Sequence, residues 1–468
     1  MRSNFSNTPL LAILILGLVL RVFNINQSLW LDEATSVIVA KNFSFMEVIT
    51  KFSPGDFHPP LYYLLLKVWG SLLGWSEIAV RSLSVLFGLV TVWLIYKIGE
   101  NLVNEKVGLI SALLLSTAPL HIYYSQEARM YVPETFFVTL LVWSVIQIFE
   151  FGKDKWLLLT VSSLAVMSID YLPILIFPTI LLYLLTHKNQ ELYKYKSQLS
   201  KLGTILFVAA IAWLPIFISQ IKTAMLAKVN TPLWTEALGG SSLKQIILIP
   251  IKFIIGRVSF YNKFIYGVYA LFALLIYTIP IISSLKRKKE VEIVWLWFLV
   301  PLLLTIVLGF QFSILSYFRL IFILPAFYLL VAFGLSLIRN KEIARLFLVL
   351  MVFTNLISVG IYHFNDRFKR EDWKSAVSYI EEKSQGQKAV SVFVAKNQRD
   401  PYLYYAKNVS SLPVREFDNN VYDKVWLFRY VQPILDPQDS ARRKVELLGF
   451  RKVDEKDFNG ITIWQYER

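Results

Sequence analysis

Long apolar runs separated by short charged clusters fill the first three quarters of the chain. Leu10 to Leu20, Leu83 to Tyr96, Ile205 to Ile218, Phe264 to Ile282 and Phe318 to Leu337 are examples. Runs that approach the thickness of a hydrocarbon core and carry no polar alternation predict membrane-spanning helices rather than barrel strands. Read against the charged punctuation, the pattern predicts about eleven spans. They fall near residues 8–24, 80–98, 107–121, 132–150, 156–169, 172–186, 203–221, 263–284, 293–311, 320–338 and 344–363. Pro59 to Trp75 is also apolar, but counting it as a span would reverse every later loop. It reads instead as a helix at the outer surface, with Trp69 and Trp75 at the interface and Lys67 snorkelling.

The pattern changes after Phe364. Glu371 to Ser384 is amphipathic, Asp400 to Lys407 predicts a short helix, and Ala389 to Ala395, Val425 to Val431 and Ile461 to Tyr466 predict strands. The chain therefore divides into a transmembrane module over residues 1–363, with a first outer loop at 25–79, and a small α/β domain over 364–468.

Composition supports lipid as the main solvent, since 56% of the 468 residues are apolar and only 17% charged. The net charge of +15 does not point to nucleic acid, because lysine and arginine gather in the short loops between apolar runs. Lys97 and Lys106, Lys153 and Lys155, the 188–201 lysines, Lys286 to Lys289 and Arg339 to Arg345 mark the cytoplasmic side. That places the N-terminus inside. The Asp32 loop, the Glu127 turn, the stretch 222–262 and everything after 364 lie outside. The absence of cysteine excludes disulfides and thiolate metal sites. Arg21, Val22 and Phe23 follow Leu20 in place of a small-residue cleavage site, so the first run reads as a span and not as a secretory signal.

Polar groups at the outer ends of spans are the candidate chemistry. Asp32 and Glu33, behind Trp30, could act as general base or help hold a divalent cation, or simply begin a helix where acids favour the N-terminal dipole. His58 precedes Pro59 and Pro60, with Tyr62 just beyond. Tyr124 to Tyr131 packs Ser125, Glu127, Arg129 and Tyr131 into one turn, readable also as an interfacial polar turn. Arg81, Arg257 and Arg319 sit at outer span ends and suit a phosphate by forked hydrogen bonds; Arg257 reads rather as a headgroup anchor. Carboxylates for a base and arginines for an anionic leaving group fit transfer from a lipid phosphate to a hydroxyl.

In this order the residues resemble the GT-C superfamily of lipid-linked-sugar glycosyltransferases, in particular the protein O-mannosyltransferase and aminoarabinose-transferase type grouped as glycosyltransferase family 39. The resemblance rests on Asp32 and Glu33, His58-Pro59-Pro60, the Gly74 to Arg81 segment and the Ser125 to Tyr131 turn. It continues more loosely through Tyr317-Phe318-Arg319 and Glu371-Asp372-Trp373. It implies a polyprenyl-phosphate sugar donor, an extracytoplasmic hydroxyl acceptor and inversion of the anomeric centre. It assigns Asp32 as general base with Glu33 beside it, and Arg81, with Arg129 and Arg319, as ligands of the donor phosphate. His58, Tyr62, Glu127 and Tyr131 fall to substrate binding, and Asp32, Glu33 and His58 are the candidates for a divalent metal ion. The alternatives are a transporter or flippase of lipid-linked glycans, which would carry mid-membrane charges and repeats, and a non-catalytic scaffold.

Overall fold

The structure is a computed structural model that describes residues 8–187, 189–230, 233, 242–418 and 421–468. It is mostly helical up to residue 364. Among the described residues, five helical stretches are long and apolar enough to cross a membrane: Glu77–Leu102, Tyr131–Phe149, Lys196–Val229, Lys263–Gly309 and Lys341–Phe364. A sixth arises if Glu105–Ser116 and Pro119–Ser125, bent by 61° at their junction, count together. The remaining predicted spans are also helical but short. Thr8–Val22, Trp156–Ile169, Leu172–Thr186 and Ile321–Ser336 hold too few residues to cross about 30 Å unaided at 1.5 Å rise per residue. The two spans predicted at 263–284 and 293–311 are separate helices, Lys263–Ser284 and Glu292–Gly309, broken between them at Arg287 (φ −130°, ψ 40°); it is the short helices that keep the count of about eleven from being reproduced by length. Leu61–Leu73, expected at the surface, is a 13-residue helix ended by Gly74 at φ +91°.

Two devices hold the helices at close range. A Cβ at Gly334 would meet the Pro280 carbonyl oxygen at 1.8 Å, so only glycine lets Leu324–Ser336 lie against the proline-containing Lys263–Ser284 helix. The bend after Ser116 frees backbone carbonyls inside the fold, and the guanidinium of Arg21 answers them. Its Nη1 donates to the carbonyl of Ser116 at 2.9 Å and Nη2 to that of Leu115 at 3.3 Å, while Nη1 also reaches the Gly17 carbonyl of its own helix at 3.0 Å. Nε donates to Ser125 Oγ, and His121 Nδ1 lies 2.7 Å from Nη2. Buried broken helices persist where side chains satisfy the freed groups in this way.

The C-terminal residues build a five-stranded sheet of order β2-β1-β3-β5-β4: β1 Ala389–Phe393, β2 Ser410–Pro413, β3 Lys424–Phe428, β4 Arg451–Phe458 and β5 Ile461–Glu467. β1 pairs in parallel with β2 and β3, and β5 is antiparallel to β3 and β4. β1 and β3 are buried along their whole length, as strands covered on both faces must be. Trp373–Lys383 packs on one face, where Trp373, Phe393 and Phe428 meet, and Ser440–Leu447 on the other, where Val390, Val425 and Val445 meet. Two strands escaped the sequence reading. β2 is four residues ending in proline, and β4 is a charged, exposed edge whose chemistry guards against pairing with another chain. The strand expected to run to Val431 stops at Phe428, because Val431 takes a left-handed φ of +45° to open the turn Gln432–Leu435.

Candidate active site

The Leu31–Asn42 helix brings the first acidic pair to two different places. Glu33 is fully buried, and Oε2 accepts from Trp30 N at 3.4 Å, so it caps the helix start. Its carboxylate is gripped by Arg81: Nε donates to Oε1 at 2.8 Å and Nη2 to Oε2 at 2.6 Å, while Ala128 N donates to Oε1 at 2.7 Å. Burial pushes this carboxyl up, but Arg81, Arg370 and the Ala128 amide outweigh it and hold it below the usual range. Glu33 is therefore a structural anion that joins the helix to the 126–130 turn, and it has no free face for base chemistry.

Arg81, placed on the donor phosphate by the sequence reading, is 1% exposed, and the same geometry reassigns it. Its remaining donors meet the carbonyls of Ile25 at 2.7 Å, Gln27 at 2.6 Å and Ser28 at 3.0 Å. All five guanidinium N–H groups are engaged, which leaves none for a phosphate.

Asp32 is the contrast. Its side chain is 37% exposed, and its one ion pair is a loose 3.6 Å approach to Arg129 Nη2. Arg129 is buried, donates from Nη1 to Ser36 Oγ at 3.2 Å, and keeps Nε without a partner. Ser36 in turn donates to the Asp32 carbonyl at 2.8 Å, so helix and turn hold the pair jointly. Tyr131 lies beside Arg129, with its ring against Tyr124 and Phe318. Arg319 follows Phe318 and donates from Nη1 to the Ser313 carbonyl at 2.7 Å. Tyr62 is buried with its ring on Tyr63, whose hydroxyl donates to Asp56 Oδ2 at 2.6 Å.

Glu127 points the other way from Arg129 and is paired in a buried contact with Arg370. That arginine, unnoticed in the sequence, comes from the segment leading into the C-terminal sheet. Its guanidinium lies 4.1 Å from the Tyr123 ring centroid, and Arg257 lies 4.6 Å from the same centroid and donates to the Tyr123 hydroxyl. Arg257 thus belongs to the polar cluster rather than only to lipid headgroups. The C-terminal part closes over the loop: Thr35 donates to Asp400 Oδ2 at 2.6 Å, Tyr405 Oη accepts from Leu29 N at 2.9 Å, and Tyr404 Oη donates to the Trp75 carbonyl.

His58 stands apart from Asp32 and Glu33. Its Nδ1 is 3.6 Å from Asp170 Oδ2, and its carbonyl accepts from Gln220 Nε2 at 2.8 Å. The expected metal set of Asp32, Glu33 and His58 does not form, because both Glu33 oxygens already accept N–H groups and His58 faces Asp170. Among the described residues, no three histidine or carboxylate side chains converge as a metal site. Asp170 and Glu134 were also missed. An acid such as Glu134 inside an apolar run is itself a signal that could have found it.

The chain is an integral membrane protein, and its fold is similar to known structures. Residues 57–216 match the family described as dolichyl-phosphate-mannose-protein mannosyltransferase, a stretch that includes His58, Arg81 and Arg129 but not Asp32. ArnT from Cupriavidus metallidurans, solved with undecaprenyl phosphate, superimposes with a TM-score of 0.60 at 10% identity, over 99% of this chain and 98% of that one. The Archaeoglobus fulgidus oligosaccharyltransferase superimposes with a TM-score of 0.56 at 11% identity, over 97% of this chain and 72% of its own. An uncharacterized protein of Aquifex aeolicus is 28% identical over 201 residues, a match that takes in 40% of this chain and 39% of that one. The chain thus shares the fold of these two structures, and its stretch 57–216 resembles the mannosyltransferase family, the direction in which its motifs pointed.

Proposed function

We propose that the protein transfers a sugar from a polyprenyl-phosphate donor to a hydroxyl acceptor on the extracytoplasmic face of the cell membrane, with inversion and with Asp32 as general base. The observation that carries this reading is the division of labour among the carboxylates. Glu33 and Glu127 are buried in tight ion pairs, while Asp32 presents an open face beside a buried cation at the mouth of the helical region.

Asp32 takes the proton of the acceptor hydroxyl as its oxygen attacks the anomeric carbon. The bond from that carbon to the phosphate oxygen breaks, and the lipid phosphate leaves with the electron pair. Cations facing the leaving group stabilise the charge that builds on it. With Arg81 fully engaged, that role falls to Arg129, whose Nε is free, to Arg319, and to Arg257 on Tyr123. Tyr62, Tyr131 and His58 line the substrate side. The extracytoplasmic placement follows from the basic loops on the opposite side, and the acceptor is a glycan, lipid or protein hydroxyl.

The test is transfer itself. Purified protein in nanodiscs, given polyprenyl-phosphate hexoses and pentoses with hydroxyl acceptors, should release polyprenyl phosphate in step with product. A transporter or flippase would move the lipid-linked sugar across the bilayer without releasing phosphate.

A further inference from the structure

On the far side of Tyr131 from Asp32 lies a second group of acid and base side chains from three separate elements. Glu134 stands in the first turn of Tyr131–Phe149, one turn beyond Tyr131. It is 1% exposed, and among the described residues no backbone, hydroxyl, amide or cationic donor reaches either carboxylate oxygen. Asp170, just past the end of Trp156–Ile169, faces it. His58 approaches Asp170 from the first loop, and its buried Nδ1 also lacks a hydrogen bond. Arg319 is the cation in reach, with Nη1 already on a carbonyl.

Asp170 is the polar partner of Glu134, and two neighbouring carboxyls bonded to each other still keep oxygens that can accept O–H groups from a ligand. The rest of the fold holds this arrangement in place. Gln220 Nε2 donates to the carbonyls of both Ser53 and His58 at 2.8 Å, and Tyr171 N donates to Asp170 Oδ1 at 2.5 Å. We propose that Glu134, Asp170 and His58 form the subsite that binds the hydroxyl groups of the transferred sugar, an inference that rests on the donor reading above.

The chemistry is complementary to that of the phosphate side. The cluster offers acceptors, and a sugar ring offers several O–H donors in fixed directions; a phosphate offers none at neutral pH. Its position also favours the donor over the acceptor. Glu134 is buried in the first turn of a membrane-spanning helix, where a lipid-borne group arrives, while the Asp32 side chain is 37% exposed. Glu134 and Asp170 thereby select which sugar is accepted.

The experiment compares binding of polyprenyl-phosphate hexoses and pentoses with binding of polyprenyl phosphate that carries no sugar, to the full chain in nanodiscs. Wild type should hold at least one sugar-bearing lipid more tightly than the bare lipid. Glu134→Gln should reduce that preference about fivefold to tenfold, the worth of about one hydrogen bond, with the bare lipid bound as before. Asp170→Asn carries the same test should Glu134→Gln fail to fold. Two results overturn the subsite: a wild type that does not distinguish the lipids, or variants that keep the preference or weaken both lipids alike. Failure of sugar transfer by a wild type that shows this preference would count against the transferase reading and leave the subsite standing.

Discussion

Arg81 and Glu33 form a buried, two-point ion pair, with Nε to Oε1 at 2.8 Å and Nη2 to Oε2 at 2.6 Å. The pair ties the first outer helix to the Glu77–Leu102 helix, and the Ala128 amide extends the tie to the turn that carries Arg129. Breaking a buried pair from one side leaves an uncompensated charge, so Arg81→Met and Glu33→Gln should each cost about 3 kcal/mol. The double variant should cost less than the sum. Thermal melting in detergent reads both. Folded Arg81→Lys should bind bare polyprenyl phosphate as wild type does; a specific loss of that affinity would return Arg81 to the phosphate site.

The same pair sets an acid limit. The carboxyl of Glu33 is held below its ordinary value by Arg81, Arg370 and the Ala128 amide against the effect of burial. Its contribution to stability is therefore fully present above the unfolded value of about 4.3 and is lost as the pH falls through the lower folded value. Wild type should lose melting temperature steeply below about pH 4. Glu33→Gln, less stable at neutral pH, should show a shallower fall. Parallel curves would remove Glu33 as the source.

Arg370 couples the C-terminal sheet to the site. The Asn459 side chain at the hairpin turn donates to the carbonyls of Lys369 and Arg370, and Arg370 then reaches Glu127 and Tyr123. Arg370→Met should speed amide exchange in residues 126–130 and lower kcat about tenfold or more, with a smaller change in KM, because misplacing Arg129 disturbs both Asp32 and the stabilisation of charge that builds on the phosphate only as it leaves. Unchanged exchange in that turn would show that the sheet is only an appendage.

Arg21 is buried and satisfied by three carbonyls, Ser125 and His121 at the bend after Ser116. Gly88 leaves the room it needs, since a Cβ there would lie 3.2 Å from Arg21 Nε and 2.7 Å from Ser125 Oγ. Arg21→Met strands those acceptors and should cost about 3 kcal/mol. Gly88→Ala should lower the melting temperature in the same direction. A neutral Arg21→Met would mean that water serves the bend instead.

The apolar runs made the helical region legible, and the change of pattern after Phe364 marked where the sheet begins. Helix lengths were harder to read, because Pro119, Pro173 and Pro325 interrupt or open helices inside continuous apolar sequence. For the site, the polar pattern alone separated neither Asp32 from Glu33, which only the family resemblance ranked, nor a phosphate ligand from a structural arginine. Adjacent residues on a helix point about 100° apart, and only packing decides that Glu33 faces Arg81 while Asp32 faces the opening. Arg370 could not be found by proximity at all, since 243 residues separate it from Glu127. Part of the 222–262 stretch expected outside, at 231–232 and 234–241, falls beyond the described residues.

The most direct measurement is the rate of sugar transfer by Asp32→Asn, which keeps the volume and removes the base. Purified in nanodiscs with a polyprenyl-phosphate sugar that wild type uses, the variant should melt within about 2 °C of wild type, as a half-exposed side chain allows. It should bind the donor normally and transfer at least about a hundredfold more slowly, the usual contribution of a general base. Transfer at the wild-type rate by this folded variant would contradict the assignment of Asp32 as base.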